Sequence, residues 1–517
     1  MKIRYLPEQD RQAIRRLRNT SDSDEMAAIL NSALHRSFTM QALWEYRKWF
    51  EQLEPRHFEK YPMLYIGYSH VLVMGGKLQE ARRLLDSAPS GEVLILFARL
   101  LLPGNSKEEW RDIVAQIKES GVTPGPNLAI TVGRPSVLNG AWDMTPYSRL
   151  LETNRETVIK GLEAFYGEQA PLIYEVALAE SLYYQDKCYD ALVSVVALIP
   201  SLKAKQDMRL LFVALALEIF IMVTKNQLSS TASMMNNLRE QMSSAGLEEY
   251  LPNIDAFDAW AAMYDGDYAR VVKWMREGAP DEYGKFCMLD TFRYMVKMRA
   301  YIILGKYLSV TALAQRLMPL LEAGNRYMDC CELHLIWAMS DHADGRTKEA
   351  LEHLKAALEL SERYGYDRLI ADEGKRVYEL LKLYRNDNTK SPYLAWITEL
   401  TEITASQFPR YLKTQLPEKP EMTAKELRVL RLLAENYSNM QIAQELNIAF
   451  DTVKTHCRNI FGKLQVRNRS QAVQRAVEFG IIKPQAQGAI PVIRDNRKRG
   501  SPLGAVFQNS TNKNLLN

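Results

Sequence analysis

Cysteine is scarce: five residues in 517, at positions 188, 287, 330, 331 and 457, odd in number and with no CxxC pair. This excludes a disulfide framework and fits reduced thiols in a cytosol. The adjacent Cys330 and Cys331 read as ordinary buried residues. Histidine is nearly as rare, at seven, and no His, Cys and carboxylate cluster has metal-ligand spacing. There is no G-x-S-x-G and no carboxylate pair placed for acid–base work. There is also no G-x-x-x-x-G-K-[ST], because Gly75-Gly76-Lys77 runs into Leu78 and Gly462-Lys463 into Leu464. No enzyme, cofactor or metal is expected. Long apolar runs are missing too. The longest, Leu210 to Val223, is interrupted by Glu218 and is too short to span a bilayer, so it reads as a buried helix. Lys2 and Arg4 are followed by no apolar stretch; no secretory signal is visible and a cytoplasmic location is expected.

What is present divides unevenly. About 47% of the residues are hydrophobic, enough for large cores. The net charge of +4 is concentrated: residues 418–483 hold 11 Lys/Arg against 7 Asp/Glu, and residues 484–517 hold 5 against 1. The remainder is net negative. Cations gather where a phosphate backbone would be met.

That basic stretch contains the segment from Met422 to Ile482, which parses into four short helices. Thr423 with Glu426 and Ser438 with Gln441 are capping boxes, and Asn468 with Gln471 is a looser one. Asn436 is placed to end the first helix in a left-handed conformation, and Gly480 to end the fourth. Only Asn447-Ile448-Ala449-Phe450 separates the second helix from the third, a helix-turn-helix signature over Asn439 to Arg458. In the third helix Val453, Cys457, Ile460 and Leu464 recur as one apolar stripe, with Cys457 acting as a small hydrophobe. The opposite face carries Asp451, Lys454, Thr455, Arg458 and Gly462, with no bulky apolar group, as a helix entering a major groove needs. A helix-turn-helix used only for protein contacts would not be built around Lys454 and Arg458. His456 beside the stripe reads as packed or phosphate-contacting.

The segment resembles the DNA-binding domain of LuxR-type transcription regulators, through T-x-K-E-x-x-V-L from Thr423, S-N-x-Q-I-A-x-x-L from Ser438, T-V-K-T-H from Thr452, K-L-x-V-x-x-R from Lys463 and A-V-x-x-A from Ala472. Asn436 stands for the usual Gly and Ala449 for the usual Ser cap, whose loss costs about 1 kcal/mol. The resemblance implies binding of double-stranded promoter DNA as a homodimer, with RNA polymerase a further partner. Lys454, Thr455 and Arg458 are the candidate base contacts; Ser438, Asn439, Thr452, Lys463 and Arg469 are the candidate phosphate contacts. In that family the last helix, here from Arg469, forms the dimer contact, and Val473, Ala476 and Val477 supply apolar surface on two sides of it.

Upstream, to about residue 410, the chain is helical and repetitive. Turns followed five positions later by a small residue recur as Gly76–Ala81, Asp186–Ala191, Gly266–Val271, Gly305–Val310 and Gly345–Ala350, with Ala42 and Ala232 placed by spacing. Markers 191, 232, 271, 310 and 350 lie 41, 39, 39 and 40 residues apart, and 42 and 81 lie 39 apart. A period near 40 means stacked helical hairpins, kin to tetratricopeptide (TPR) repeats but longer, with a concave inner surface suited to binding. The tyrosines at 61, 65 and 68 and the tryptophans at 260, 274 and 337 read as inter-repeat core. The register breaks between 81 and 191, across Gly/Pro-rich stretches at 121–127 and 133–140. The favoured reading is a surface insertion at about 119–147; the other is a loop folded over the concave face.

This region resembles, more weakly, the start of the sensor part of large ATP-dependent LuxR-type regulators of the maltose-activator kind, on residues 43–85. In those proteins an ATPase domain precedes it, so either this is a shorter regulator or the true start lies upstream. ATP-driven assembly does not carry over without the phosphate loop.

The expected architecture is all-α: a TPR-like helical-hairpin superhelix over 1–410, a linker at 411–420, a four-helix LuxR-type helix-turn-helix domain at 421–484 and a disordered tail at 485–517. Arg497-Lys498-Arg499 in the tail reads as solvated rather than DNA-bound. The expected function is a transcription regulator that senses a small molecule or a protein through its repeats. The alternative is a repeat scaffold whose main work is protein binding.

Overall fold

The computed structural model describes residues 5–414 and 422–482, apart from 37–38, 90–92, 101, 103–104, 122–133, 141–142, 388–390, 465, 467 and 479–480. It forms two compact units, Met1–Leu416 and Pro417–Asn517. Among the described residues the regular elements are all helices, with no strand. Gly480, the 485–517 tail and most of the expected linker lie outside the described residues.

One backbone device builds the first unit. A left-handed residue stands at Asp186, Gln206, Asn226, Gly246 and Gly266, then at Gly305, Asn325, Gly345 and Gly365. Each closes a helix, and the next residue's N–H bonds back across five residues. Lys187 donates to the Leu182 carbonyl, Gln227 to Met222, Lys306 to Tyr301 and Arg346 to Asp341, at 2.8–2.9 Å. These Schellman-type ends satisfy carbonyls the helix leaves open. Because one falls about every twenty residues, helices of 10 to 18 residues alternate as antiparallel hairpins, from Ala170–Tyr184 and Cys188–Ala204 through Tyr327–Ala343 and Thr347–Tyr364.

Five residues beyond the turn inside each hairpin comes the tight crossing. Ala191, Val271, Val310 and Ala350 are all buried there. The expected marker Ala232 is instead exposed, and Thr231 holds the buried slot. The reason is the turn: Asn226 takes the left-handed position, and five residues on is 231, not 232. The spacing is then more regular than expected. Farther upstream Ala42 and Ala81 are fully buried in a separate core, built mainly from residues 6–102. The apolar run at 210–223 lies in the buried helix Met208–Thr224, and no helix among the described residues is long and apolar enough to cross a membrane.

Two expectations need correction. The 119–147 insertion is only partly a surface feature: Glu119, Gly121, Met144 and Tyr147 are exposed, but the described residues between them are not. Its first two residues end the helix Lys107–Ser120, capped by left-handed Gly121. Residues 134–140 and 143–148 pass into the interior: Arg134, Ser136, Asn139 and Thr145 are buried. A polar strap can lie there because Arg134, Ser136, the N–H groups of 137 and 138, and the Asn139 amide all bond to buried carboxylates. Second, Tyr411 and Leu412 are not linker. Both are buried, and Tyr411 stacks on Tyr264 at 4.1 Å between ring centroids.

The second unit has the four expected helices, Ala424–Ala434, Asn439–Leu446, Phe450–Leu464 and Arg469–Glu478. Its small core joins Val429, Leu430, Leu433 and Ile442 to the third-helix stripe.

Candidate functional site

Caps and turns position the third helix of the second unit. Thr423 accepts from the Glu426 N–H while the Glu426 carboxylate accepts from the Thr423 N–H at 2.8 Å; Ser438 and Gln441 do the same. Asn436 and Asn447 take the left-handed positions, with φ of 63° and 51°. The Ala449 carbonyl accepts from the N–H groups of Thr452 and Val453 and so opens the third helix, without a side-chain cap. Val453, Cys457, Ile460 and Leu464 face inward. Lys454, Thr455 and Arg458 are therefore left on the exposed side, with Thr452 at its start. The Thr455 hydroxyl donates to the Asp451 carbonyl at 3.0 Å. Lys454 Nζ lies 3.5 Å from Asp451 and 4.6 Å from the ring centroid of Phe450. Phe450, 41% exposed, corrects the expectation of a face with no bulky apolar group.

Other expected site residues already have work inside the fold. Lys463 Nζ is 2.6 Å from Glu426 Oε2, fixing the third helix to the first. Burial pushes the Glu426 carboxyl up, but Lys463 and the Thr423 N–H outweigh it and hold it below the usual range. Arg469 donates to the Tyr437 and Leu433 carbonyls at 2.6 and 2.5 Å, closing the open end of the first helix. Both make a brace before they could meet a phosphate. Ser438 is exposed as a helix cap, with Asn439 half-buried beside it. In the fourth helix Ala476 is fully buried in the unit's own core, so it is unavailable to a dimer partner; Val473 and Val477 are half-buried against the same core.

A second feature, in the first unit, was not anticipated. The strap is held by a buried charge network. Arg134 pairs with Asp329 and, at 3.3 Å, with Glu332. Asp329 also accepts from Arg326 at 2.9 Å and from the Asn139 amide at 3.0 Å. Burial raises the Asp329 carboxyl, but the two guanidinium groups win and lower it. Glu180 accepts from the N–H groups of Val137 and Leu138 at 2.9 and 3.1 Å and from the Ser136 hydroxyl. Behind Glu332, Arg299 bridges to Glu373, which also accepts from Tyr411.

Against this network lies a cavity of about 60 Å³, bordered by Arg134 and Ser136 of the strap and by Arg299, Glu332, Asp372 and Glu373. Tyr183, Tyr184, Phe220, Trp260, Tyr264 and Phe292 supply its aromatic wall. Trp260 was thus placed correctly as buried, yet it also borders a cavity. The missed signal is charge in otherwise apolar helices: Glu180 in LIYEVALAESLYY, Arg299 in YMVKMRAYII, Glu332 in CCELHLIW. Such charges are rarely buried unless paired. Among the described residues no cluster of three or more His, Cys, Asp or Glu could hold a metal.

Residues 420–476 match the model for bacterial regulatory proteins of the luxR family. The second unit is a LuxR-family helix-turn-helix domain. Residues 182–387 match the MalT-like TPR region, which covers the hairpins around the cavity. Curated relatives include the HTH-type transcriptional regulator MalT of Klebsiella pneumoniae subsp. pneumoniae, 26% identical over 290 residues, 51% of this chain and 31% of that protein. The MalT of Klebsiella pneumoniae strain 342 is 27% identical over 299 residues, with the same shares. The match spans about a third of the length of these relatives. The chain thus joins a LuxR-type domain to a MalT-like repeat region.

Proposed function

We propose that the LuxR-type domain reads double-stranded promoter DNA as a homodimer, in the cytoplasm, and acts through RNA polymerase, while the repeat unit senses a small molecule or a protein. The observation that carries this reading is the third helix: one buried apolar stripe leaves Lys454, Thr455 and Arg458 together on the exposed side. That helix is long enough to lie in a major groove, and the Arg458 fork can pair with a guanine edge through two hydrogen bonds. The fourth helix offers Val473 and Val477, without Ala476, as its dimer surface.

The test uses a duplex selected from a random pool and a scrambled control, at several salt concentrations. Arg458→Ala should cost roughly 1–3 kcal/mol on the selected duplex and relax preference at one base position. Lys463→Ala should leave the salt slope unchanged, because Glu426 holds the ammonium; a phosphate contact would lower the slope by about one. Equal weakening of both duplexes by Arg458→Ala would make it a phosphate contact, and no effect at all would remove the third helix from the groove.

A further inference from the structure

We infer that the cavity of the repeat unit takes a small organic cation, an ammonium head on a short alkyl stem. The inference rests on the sensing role proposed above and adds the chemical class of the effector.

Charge balance is the first support. Five carboxylates are buried in and directly behind the cavity wall: Glu180, Asp329, Glu332, Asp372 and Glu373. Four buried guanidinium groups, of Arg134, Arg299, Arg326 and Arg368, answer them. Outside the lining, partly exposed Asp143 and Asp186 add two more acids nearby, one accepting from the Met328 N–H at 2.9 Å and one paired with Arg368 at 3.3 Å. The wall therefore carries excess negative charge in a poorly hydrated place, where an uncompensated charge is costly. Burial pushes the Glu180 and Asp372 carboxyls up, and a bound cation would offset the cost of burying them charged.

The aromatic wall is the second support. Phe220 and Trp260 lie 4.4 Å apart, centroid to centroid, and Trp260 meets Tyr264 edge-on at 4.8 Å. Ring faces around a desolvated space attract ammonium groups through their quadrupoles. The two hydroxyls nearest the acids are committed: Tyr183 donates to the Asp372 carboxylate, and Tyr264 donates to the Asp372 carbonyl at 2.8 Å. Their protons are therefore not available to a ligand. An anion would meet acids whose guanidinium partners are already engaged. Size is the third support. The volume is about four times the ~10–15 Å³ that holds one water by the same measure, which suits a small head group and not an oligomer.

The experiment uses the full chain and three probes of matched shape: butylammonium, 1-butanol and butyrate, at constant ionic strength. Tryptophan fluorescence and calorimetry should show saturable butylammonium binding, at least tenfold tighter than butanol, with none for butyrate. Asp372→Asn should weaken butylammonium at least tenfold and leave butanol unchanged. Phe220→Trp, which fills the space from its apolar side, should abolish both. Butanol or butyrate binding as tightly as the amine, amine binding that survives Phe220→Trp, or no binding of any probe at millimolar concentration would overturn the cation. The two readings separate on DNA. If butyrate binds and changes DNA affinity, sensing stands and the cation falls; if butylammonium fills the cavity and DNA affinity does not move, the cation stands and sensing falls.

Discussion

Removing Arg134 is the sharpest probe of the buried strap. Arg134→Met keeps the length and apolar stem of the side chain but takes a cation from between Asp329 and Glu332, which are 0% and 7% exposed. Breaking a buried pair from one side typically costs about 3–5 kcal/mol, because the partner charge stays behind. Here the cost should fall near 3, since Asp329 retains Arg326 at 2.9 Å and Glu332 retains Arg299 at 2.7 Å. The penalty depends on pH, and its sign is fixed. The native Asp329 carboxyl sits below its usual range, so its contribution exists at neutral pH and is lost as pH falls through that lowered value. In the variant Asp329, having lost one of its two guanidinium partners, takes up a proton more readily. The gap between native and variant protein should therefore be full at neutral pH and close as pH falls below about 4. All eight tryptophans, from Trp44 to Trp396, lie in the first unit, so their fluorescence during urea unfolding of the full chain reports that unit alone. A gap below about 1 kcal/mol at pH 8, or one that does not shrink as pH falls below about 4, would show that the strap is not held by charge.

Other consequences follow from single contacts. Burial lifts the Glu249 carboxyl to about 7, and its Oε2 has no hydrogen-bond partner, so stability is full below pH 4.5 and is lost as pH rises through 7. Glu249→Gln should remove that slope and gain about 3 kcal/mol at pH 8; parallel native and variant curves in urea unfolding between pH 4.5 and 8 would contradict it. Residues 418–484 contain their own caps, turns and core, and should give a helical circular dichroism spectrum when isolated; an unfolded fragment would deny that independence. In that fragment Arg469→Ala should cost about 1.5–3 kcal/mol by removing a charged donor from the Leu433 and Tyr437 carbonyls, the first of which keeps the Asn436 N–H, and leave the salt dependence of DNA binding untouched; the opposite pattern would make Arg469 a phosphate contact.

The parts most legible in the sequence were those set by local chemistry. Caps at Thr423 and Ser438, the left-handed Asn436 and the 3.6-period stripe each depend on neighbours within a few residues, and all lie where the residue types put them. The repeat was legible for the same reason, since a turn and a small residue five places on is a local pattern. Its one slip, Ala232 for Thr231, came from placing the marker by spacing instead of by the turn, where Asn226 carries the left-handed position. The partners of Lys463 and Arg469 were not legible. Each reaches across more than thirty residues, and a cation facing an acid or a carbonyl looks in sequence like a cation facing a phosphate.

The cavity was illegible for a stronger reason. Its wall draws on residues from Arg134 to Glu373, and no single repeat contains the site. Stacking brings one or two positions per hairpin to the same interior face, so the spacing that advertises the scaffold says nothing of what collects inside it. What the sequence did display was the strap, as Gly and Pro where the period failed. A break in a regular array is costly unless the extra segment finds bonds, and here Arg134, Asn139, Asp143 and the backbone of 137–138 all bond to hairpins far along the chain. Where a repeat loses register, the segment that breaks it is a good place to look for the binding face, because such a segment stays buried only if the hairpins supply the groups that satisfy it.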